Sequence, residues 1–236
     1  MKTRALLASV AAAHVPHFVF SSTAAVYGDV SQEPVSEATP AVPVSPYGAS
    51  KLMSEWMLRD SAQAYGLKYV ALRYFNVAGA DPLGRTGQST PRATHLIKVA
   101  CEAATGKRAG MQVFGTDYPT RDGTCIRDYI HVSDLVSAHL DALNYLKNGG
   151  ANAVMNCGYG AGYSVLDVVE TVKRVSGVDF PVTFAPARAG DPASIVASAS
   201  KIRDTLGWRP KYDNLETIGR HALAWERKLP ANSAAA

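Results

Sequence analysis

Short apolar runs alternate along this chain with helical patterns, and no other feature narrows the fold as much. Strand signals recur at residues 18–22, 69–74, 113–115, 153–157 and 182–184. Helical patterns cover 46–65, 91–105, 133–146, 165–176 and 200–206. Short buried strands separated by helices favour a parallel α/β sheet, because each crossover returns the chain to the same edge. The helix over 46–65 is the best signalled: Ser45 can cap it, Pro46 suits its first position and Gly66 can end it. Leu52, Trp56 and Met57 are expected to form its buried stripe. Pro34, Pro40, Pro43 and Pro46 make residues 29–45 a loop over the sheet edge. Residues 79–91 read as a second surface excursion. No internal repeat is visible.

Composition removes several function classes. The 236 residues are 47% hydrophobic, enough for a real core. Lys+Arg 24 against Asp+Glu 20 leaves a net charge of +4, and the basic residues are scattered. A nucleic-acid binder needs a concentrated basic face, so that partner is excluded. No run approaches the roughly 20 apolar residues of a membrane span. Cys101, Cys125 and Cys157 are odd in number and far apart, without CxxC or Cys/His spacing. Neither a disulfide framework nor a metal site is expected, and a cytoplasmic setting is. The first residues read two ways. Met1-Lys-Thr-Arg and the apolar run over 5–13 imitate a secretory signal; the preferred reading of the same run is an alanine-rich helix leading into the strand at residue 18. Residues 231–236 are expected to be a disordered tail.

Tyr47 and Lys51 stand four apart on the helix after Pro46 and so share one face. An ammonium beside a phenol favours phenolate, which turns a poor base into one able to take a hydroxyl proton. Ser21, Ser22 and Thr23 end a buried strand, and parallel sheets place their sites at the carboxyl ends of strands. The plainer alternatives are a solvated Tyr/Lys pair and a strand end with local turn bonding.

Read together, these segments resemble a known family. Phe20-Ser-Ser-Thr-Ala-Ala-Val-Tyr-Gly28, Pro46-Tyr-Gly-Ala-Ser-Lys51 and Leu72-Arg-Tyr-Phe-Asn76 resemble the extended short-chain dehydrogenase/reductases. Val113-Phe-Gly-Thr-Asp-Tyr-Pro-Thr120, Arg127-Asp-Tyr-Ile-His-Val-Ser-Asp134, the stretch 156–165 and Arg188-Ala-Gly-Asp-Pro192 narrow the resemblance to its UDP-glucose 4-epimerase branch. The match runs from about residue 6 to 208. It implies a Rossmann-like parallel sheet, truncated at its start, with a smaller C-terminal α/β substrate domain. Residues 1–80 would be the remnant of the NAD-binding part and 81–230 mainly the UDP-sugar-binding domain, with about 126–146 packing back on the first part.

The resemblance also implies roles. Tyr47 would take the proton of the sugar 4-hydroxyl while NAD takes the C4 hydride. Lys51 would hold the nicotinamide ribose and favour the Tyr47 phenolate; Thr23 would bond the 4-oxygen and relay its proton. Phe75 aligns with a cofactor contact and Asn76 with a diphosphate contact. His95, Leu96, Gln112, Val113, Phe114, Arg127, Arg188 and Asp191 align with the UDP-sugar cradle, and guanidinium forks suit phosphate oxygens. A surface ion pair is the plain alternative for each arginine. His95 stands where many members carry asparagine. Ile195 falls at a position associated with sugar size. The related dehydratases carry an acidic pair after the strand-end threonine; here Ala24 and Ala25 follow Thr23, which favours epimerisation. Members are often homodimers, so a second copy joins the UDP-sugar among the expected partners.

One expected part is not found in the sequence. Dinucleotide binding in this fold uses a glycine-rich turn after the first strand, and none precedes Phe18. Gly158-x-Gly160-x-Gly162 has the order strand, glycines, helix, but the fingerprint needs glycine where Tyr163 stands. At about 30 residues per unit, roughly a hundred residues would be missing. Three readings follow: an epimerase whose start is misplaced or whose other half is separate, a non-catalytic UDP-sugar-binding remnant, or a 4-epimerase of another UDP-sugar.

Overall fold

A computed structural model describes residues 2–30 and 34–230; the expected tail over 231–236 lies outside the described residues. In chain order the elements begin α1 (Lys2–Ala12), β1 (His17–Thr23), α2 (Pro46–Tyr65), β2 (Lys68–Tyr74) and β3 (Asn76–Ala78). Next come α3 (Leu96–Ala104), β4 (Met111–Phe114), β5 (Ile126–His131), α4 (Val132–Lys147) and β6 (Ala153–Cys157). β7 (Gly162–Ser164), α5 (Val165–Ser176), β8 (Val182–Ala185), β9 (Ser194–Ile195), α6 (Ser200–Leu206) and α7 (Leu215–Lys228) follow. The chain divides into two units, each assembled from three stretches. The first takes the chain through Phe75, Leu135–Gly160 and Val196–Arg209; the second takes Asn76–Asp134, Ala161–Ile195 and the chain from Pro210.

The first unit is built on a parallel sheet of order β1-β2-β6. Thr23 lies opposite Tyr74, and Tyr74 opposite Cys157, so the three carboxyl ends finish flush. The signals around α2 act as the sequence suggests. Ser45 Oγ accepts from the Gly48 N–H at 3.1 Å, Pro46 takes the first turn, and Gly66 closes the helix at φ 72°. The ambiguous opening stretch is a helix whose Leu7 and Val10 are buried. They join Leu58, Leu67, Tyr69 and Ala71 in one core, with Phe18, Phe20 and Met57 packed against it. The expected α2 stripe needs correcting. Leu52 and Leu58 are buried, Trp56 is 48% exposed, and the residue buried beside it is Glu55. A carboxylate can occupy that face because Arg73 of β2 neutralises it.

In the second unit β3 and β9 run parallel to β5, and β7 pairs with β5 antiparallel. β4 and β8 form a separate parallel pair. α3, α5 and α7 pack together, and α7 also lies on β3. Val168, Val169, Val172, Ile218 and Leu223 fill the space between them. The helix expected from residue 91 begins at Leu96 instead, because Arg92 adopts the left-handed φ of 54° and turns the chain. β3, β5, β7, β9 and α7 were not among the expected elements. Among the described residues no helix is long and apolar enough to cross a membrane.

Candidate functional site

Each unit carries its own group of candidate residues. In the first, Thr23 ends β1, is 8% exposed, and its hydroxyl accepts from the Ala25 N–H at 3.2 Å. That acceptance leaves the hydroxyl proton to be donated elsewhere. Tyr47 and Lys51 occupy the first turns of α2, with the Lys51 ammonium 5.8 Å from the centre of the Tyr47 ring. Lys51 Nζ donates to the Ser21 carbonyl at 2.9 Å, and burial pulls its ammonium below the ordinary range. Tyr47 is 52% exposed. Tyr74, at the end of β2, is pushed up by burial and by the nearness of Tyr47, so it stays a neutral phenol. Gly48 sets how closely α2 approaches: a Cβ there would lie 2.3 Å from the Ala25 carbonyl oxygen. Only glycine lets the first turn of α2 press against the turn that follows Thr23.

A buried network holds these strand ends to the helix. Ser22 Oγ donates to Glu55 Oε1 at 2.5 Å, and Arg73 donates to both Glu55 oxygens, at 3.0 Å from Nε and 2.6 Å from Nη2. The Arg73 guanidinium also lies 4.9 Å over the Tyr27 ring. The Tyr27 hydroxyl donates to Asn156 Oδ1 at 2.6 Å, and Asn156 bonds Glu37 and the Val35 carbonyl. β1, α2, β2, β6 and the loop after residue 34 are thus joined by side chains that satisfy one another. Phe75 is buried just past β2, its N–H donating to the Cys157 carbonyl at 3.3 Å.

The second unit contains a cavity of about 990 Å³. Asn76, His95, Leu96, Gln112, Val113, Phe114, Arg127, Arg188 and Asp191 all line it. Ile195 does not; it is buried in β9 opposite Arg127. Arg127 donates from Nη1 to the Ile126 and Pro192 carbonyls, each at 2.8 Å, with Asp191 at 3.9 Å from Nη2. The Arg188 guanidinium stacks 3.8 Å from the centre of the Phe114 ring. Sequence reading missed two further arginines on the wall, Arg92 and Arg108. Arg108 is anchored to Glu102 and to the Ala93 carbonyl. No periodicity marks either residue, since both sit in loops. With Arg108 answered by Glu102, the guanidiniums of Arg92, Arg127 and Arg188 against the carboxylate of Asp191 make a cavity that attracts anions. Elsewhere in this unit charge is paired, with Lys98 and Lys107 both bonded to Glu226 of α7.

The glycine loop near α5 offers no phosphate cradle. Ser164 and Asp167 form a reciprocal capping box that already fills the helix N-terminus, and Asp167 places a carboxylate there.

The model of the NAD dependent epimerase/dehydratase family matches residues 1–158. A UDP-glucose 4-epimerase of Azospirillum brasilense is 60% identical over 224 residues, covering 95% of this chain and 64% of its own length. Across the curated relatives that share runs from 64% to 69%. The crystal structure of UDP-glucose 4-epimerase from Brucella ovis in complex with NAD superposes with a TM-score of 0.91 at 44% identity, over 94% of this chain and 68% of that one. The enzyme from Bifidobacterium longum in complex with NAD+ and UDP gives a TM-score of 0.89 at 37% identity, over 96% and 68%.

Proposed function

The chain belongs to the NAD dependent epimerase/dehydratase family, and from that premise we propose that it serves the interconversion of UDP-glucose and UDP-galactose at C4. The observation that carries this reading is the assembly of Thr23, Tyr47 and Lys51 at the carboxyl end of β1. Ala24 and Ala25 follow directly, where elimination would need carboxylates.

The residues of the first unit fit the nicotinamide–ribose end of NAD. Lys51 spends one of its three N–H donors on Ser21 and keeps two for ribose hydroxyls, while Tyr47 keeps half its surface open. When bound, NAD supplies a reversible hydride acceptor for C4. The protein manages the proton. Tyr47 takes it from the 4-hydroxyl at its phenolic oxygen, Lys51 balances the negative charge that oxygen carries, and Thr23 bonds the 4-oxygen. In the second unit, Arg127 and Arg188 hold the diphosphate, with Asn76, His95 and Leu96 beside them. Gln112, Val113, Phe114 and Asp191 complete the cradle for the nucleoside, and Ile195 supports it from behind Arg127.

A second reading, a UDP-sugar-binding protein without turnover, is favoured by one observation: the cavity is formed wholly by the second unit. Conversion of UDP-galactose by the purified chain with added NAD, abolished by Tyr47→Phe, supports the enzyme. UDP uptake in calorimetry without any conversion leaves the binder.

Two further parts belong to this proposal. A homodimer is supported by the exposed Val136, Leu140 and Leu143 along one face of α4 and by Met53 and Trp56 on α2. A cytoplasmic setting is supported by three buried cysteines that are held as thiols.

A further inference from the structure

His95 caps α3, yet its side chain makes no capping bond. The ring is engaged elsewhere: Gln88 Nε2 lies 2.8 Å from His95 Nδ1. In this orientation of the amide its nitrogen donates and Nδ1 accepts, which puts the ring proton on Nε2. Gln88 is held in turn. Its carbonyl accepts from the Trp225 indole N–H at 3.2 Å, and Gly87 lies flat on that indole. A Cβ on Gly87 would come within 2.5 Å of the ring, so a larger residue would push Gln88 away. The preceding turn is clamped by Asp81, which binds the Arg85 guanidinium at 2.7 and 2.9 Å.

The placement of the two residues differs in a useful way. A void of about 60 Å³ is lined by Gln88, His95 and Trp225, whereas the large cavity is lined by His95 and not by Gln88. His95, an exposed residue, therefore borders both void and cavity, and the Nδ1 edge of its ring is turned to Gln88. Its opposite edge carries the N–H.

We infer that Gln88 is a positioning residue, which fixes His95 as an Nε2–H donor to an oxygen of a nucleoside diphosphate in the cavity. The inference rests on the cavity reading given above and extends it. A histidine held in this tautomer offers what an asparagine amide would offer, an N–H donor beside the first turn of α3. Arg92 and Arg127 line the same wall and supply the charge. The histidine supplies direction.

The test joins histidine ring-nitrogen NMR to calorimetry with UDP on four proteins: wild type, Gln88→Leu, His95→Phe and the double variant. The wild-type ring should show a bare Nδ1 and a protonated Nε2. His95→Phe should weaken UDP binding about tenfold, the loss of one hydrogen bond to a charged group. Gln88→Leu should weaken it several-fold in the wild-type background and not at all once His95 is phenylalanine. A prop for the loop alone would cost the same in both backgrounds, and that result overturns the inference. So does a proton found on Nδ1. A wild-type chain that takes up no UDP overturns the cavity reading itself, which the other results leave standing.

Discussion

Arg73 and Arg127 each lie beside a candidate site, one in each unit, and their surroundings differ. Arg73, 8% exposed, spends its guanidinium on both oxygens of a buried carboxylate. Arg127, 12% exposed, donates to two backbone carbonyls and has its nearest carboxylate, Asp191, 3.9 Å away. One charge is answered within the protein; the other is aimed and left largely unanswered. The first unit therefore uses charge to hold reacting groups in place, and the second uses it to draw in a ligand. Substitutions in the two units should fail in different ways.

The sharpest separation comes from Tyr47→Phe. It should lower epimerisation of UDP-galactose, measured with NAD present, by about 10³-fold, the scale of a lost general base. UDP affinity in calorimetry should stay as it was, because no part of the cavity wall has changed. Next in size is Glu55→Ala, which strands the Arg73 charge in the core. Urea denaturation should show a loss of about 3–5 kcal/mol, and replacing Glu55 and Arg73 together by methionine should recover most of it. A small effect from Glu55→Ala would break the comparison. Arg127→Ala should do the reverse: a roughly tenfold weaker hold on UDP, less sensitive to salt, with a stability loss near 1 kcal/mol. The last prediction concerns pH. Burial and the nearby His221 hold His131 down to about 4, while the unfolded chain takes up that proton near 6.5. The unfolded state then binds more protons between those values, so stability is full at neutral pH and declines as pH falls from about 6.5 toward 4. Thermal melts should drop by several degrees over that window, and His131→Gln should flatten the slope.

Local chemistry made part of this structure legible. The helix over Pro46–Tyr65 could be read to its ends because Ser45, Pro46 and Gly66 each act through their own backbone. α5 and α6 were equally clear. β5 was not, since Arg127, Asp128 and His131 break its apolar pattern, and Arg127 and His131 find partners as distant in the chain as Pro192 and His221. The α2 stripe misled for the same reason: hydrophobic periodicity does not show a buried Glu55. α7 escaped because Gly219 and Glu226 take places on its buried face that apolar periodicity would assign to large hydrophobic residues. At the candidate site, Tyr47, Lys51 and Thr23 could be named from spacing and a strand end. Arg92, Arg108 and Gln88 could not, because loops bring them to the cavity and no spacing rule governs loops.

The interleaving of the two units bears on how the chain acquires its structure. β6 reaches its place beside β2 only after some eighty intervening residues, and α7, the last helix, packs against β3, α3 and α5. Contacts this distant in sequence make folding slow, since each loop must close before its contacts repay the lost entropy. During synthesis neither unit can finish before the other is nearly complete. The apolar edge of β2 waits in the open for its neighbour, and prompt chaperone cover should raise the yield of folded chain.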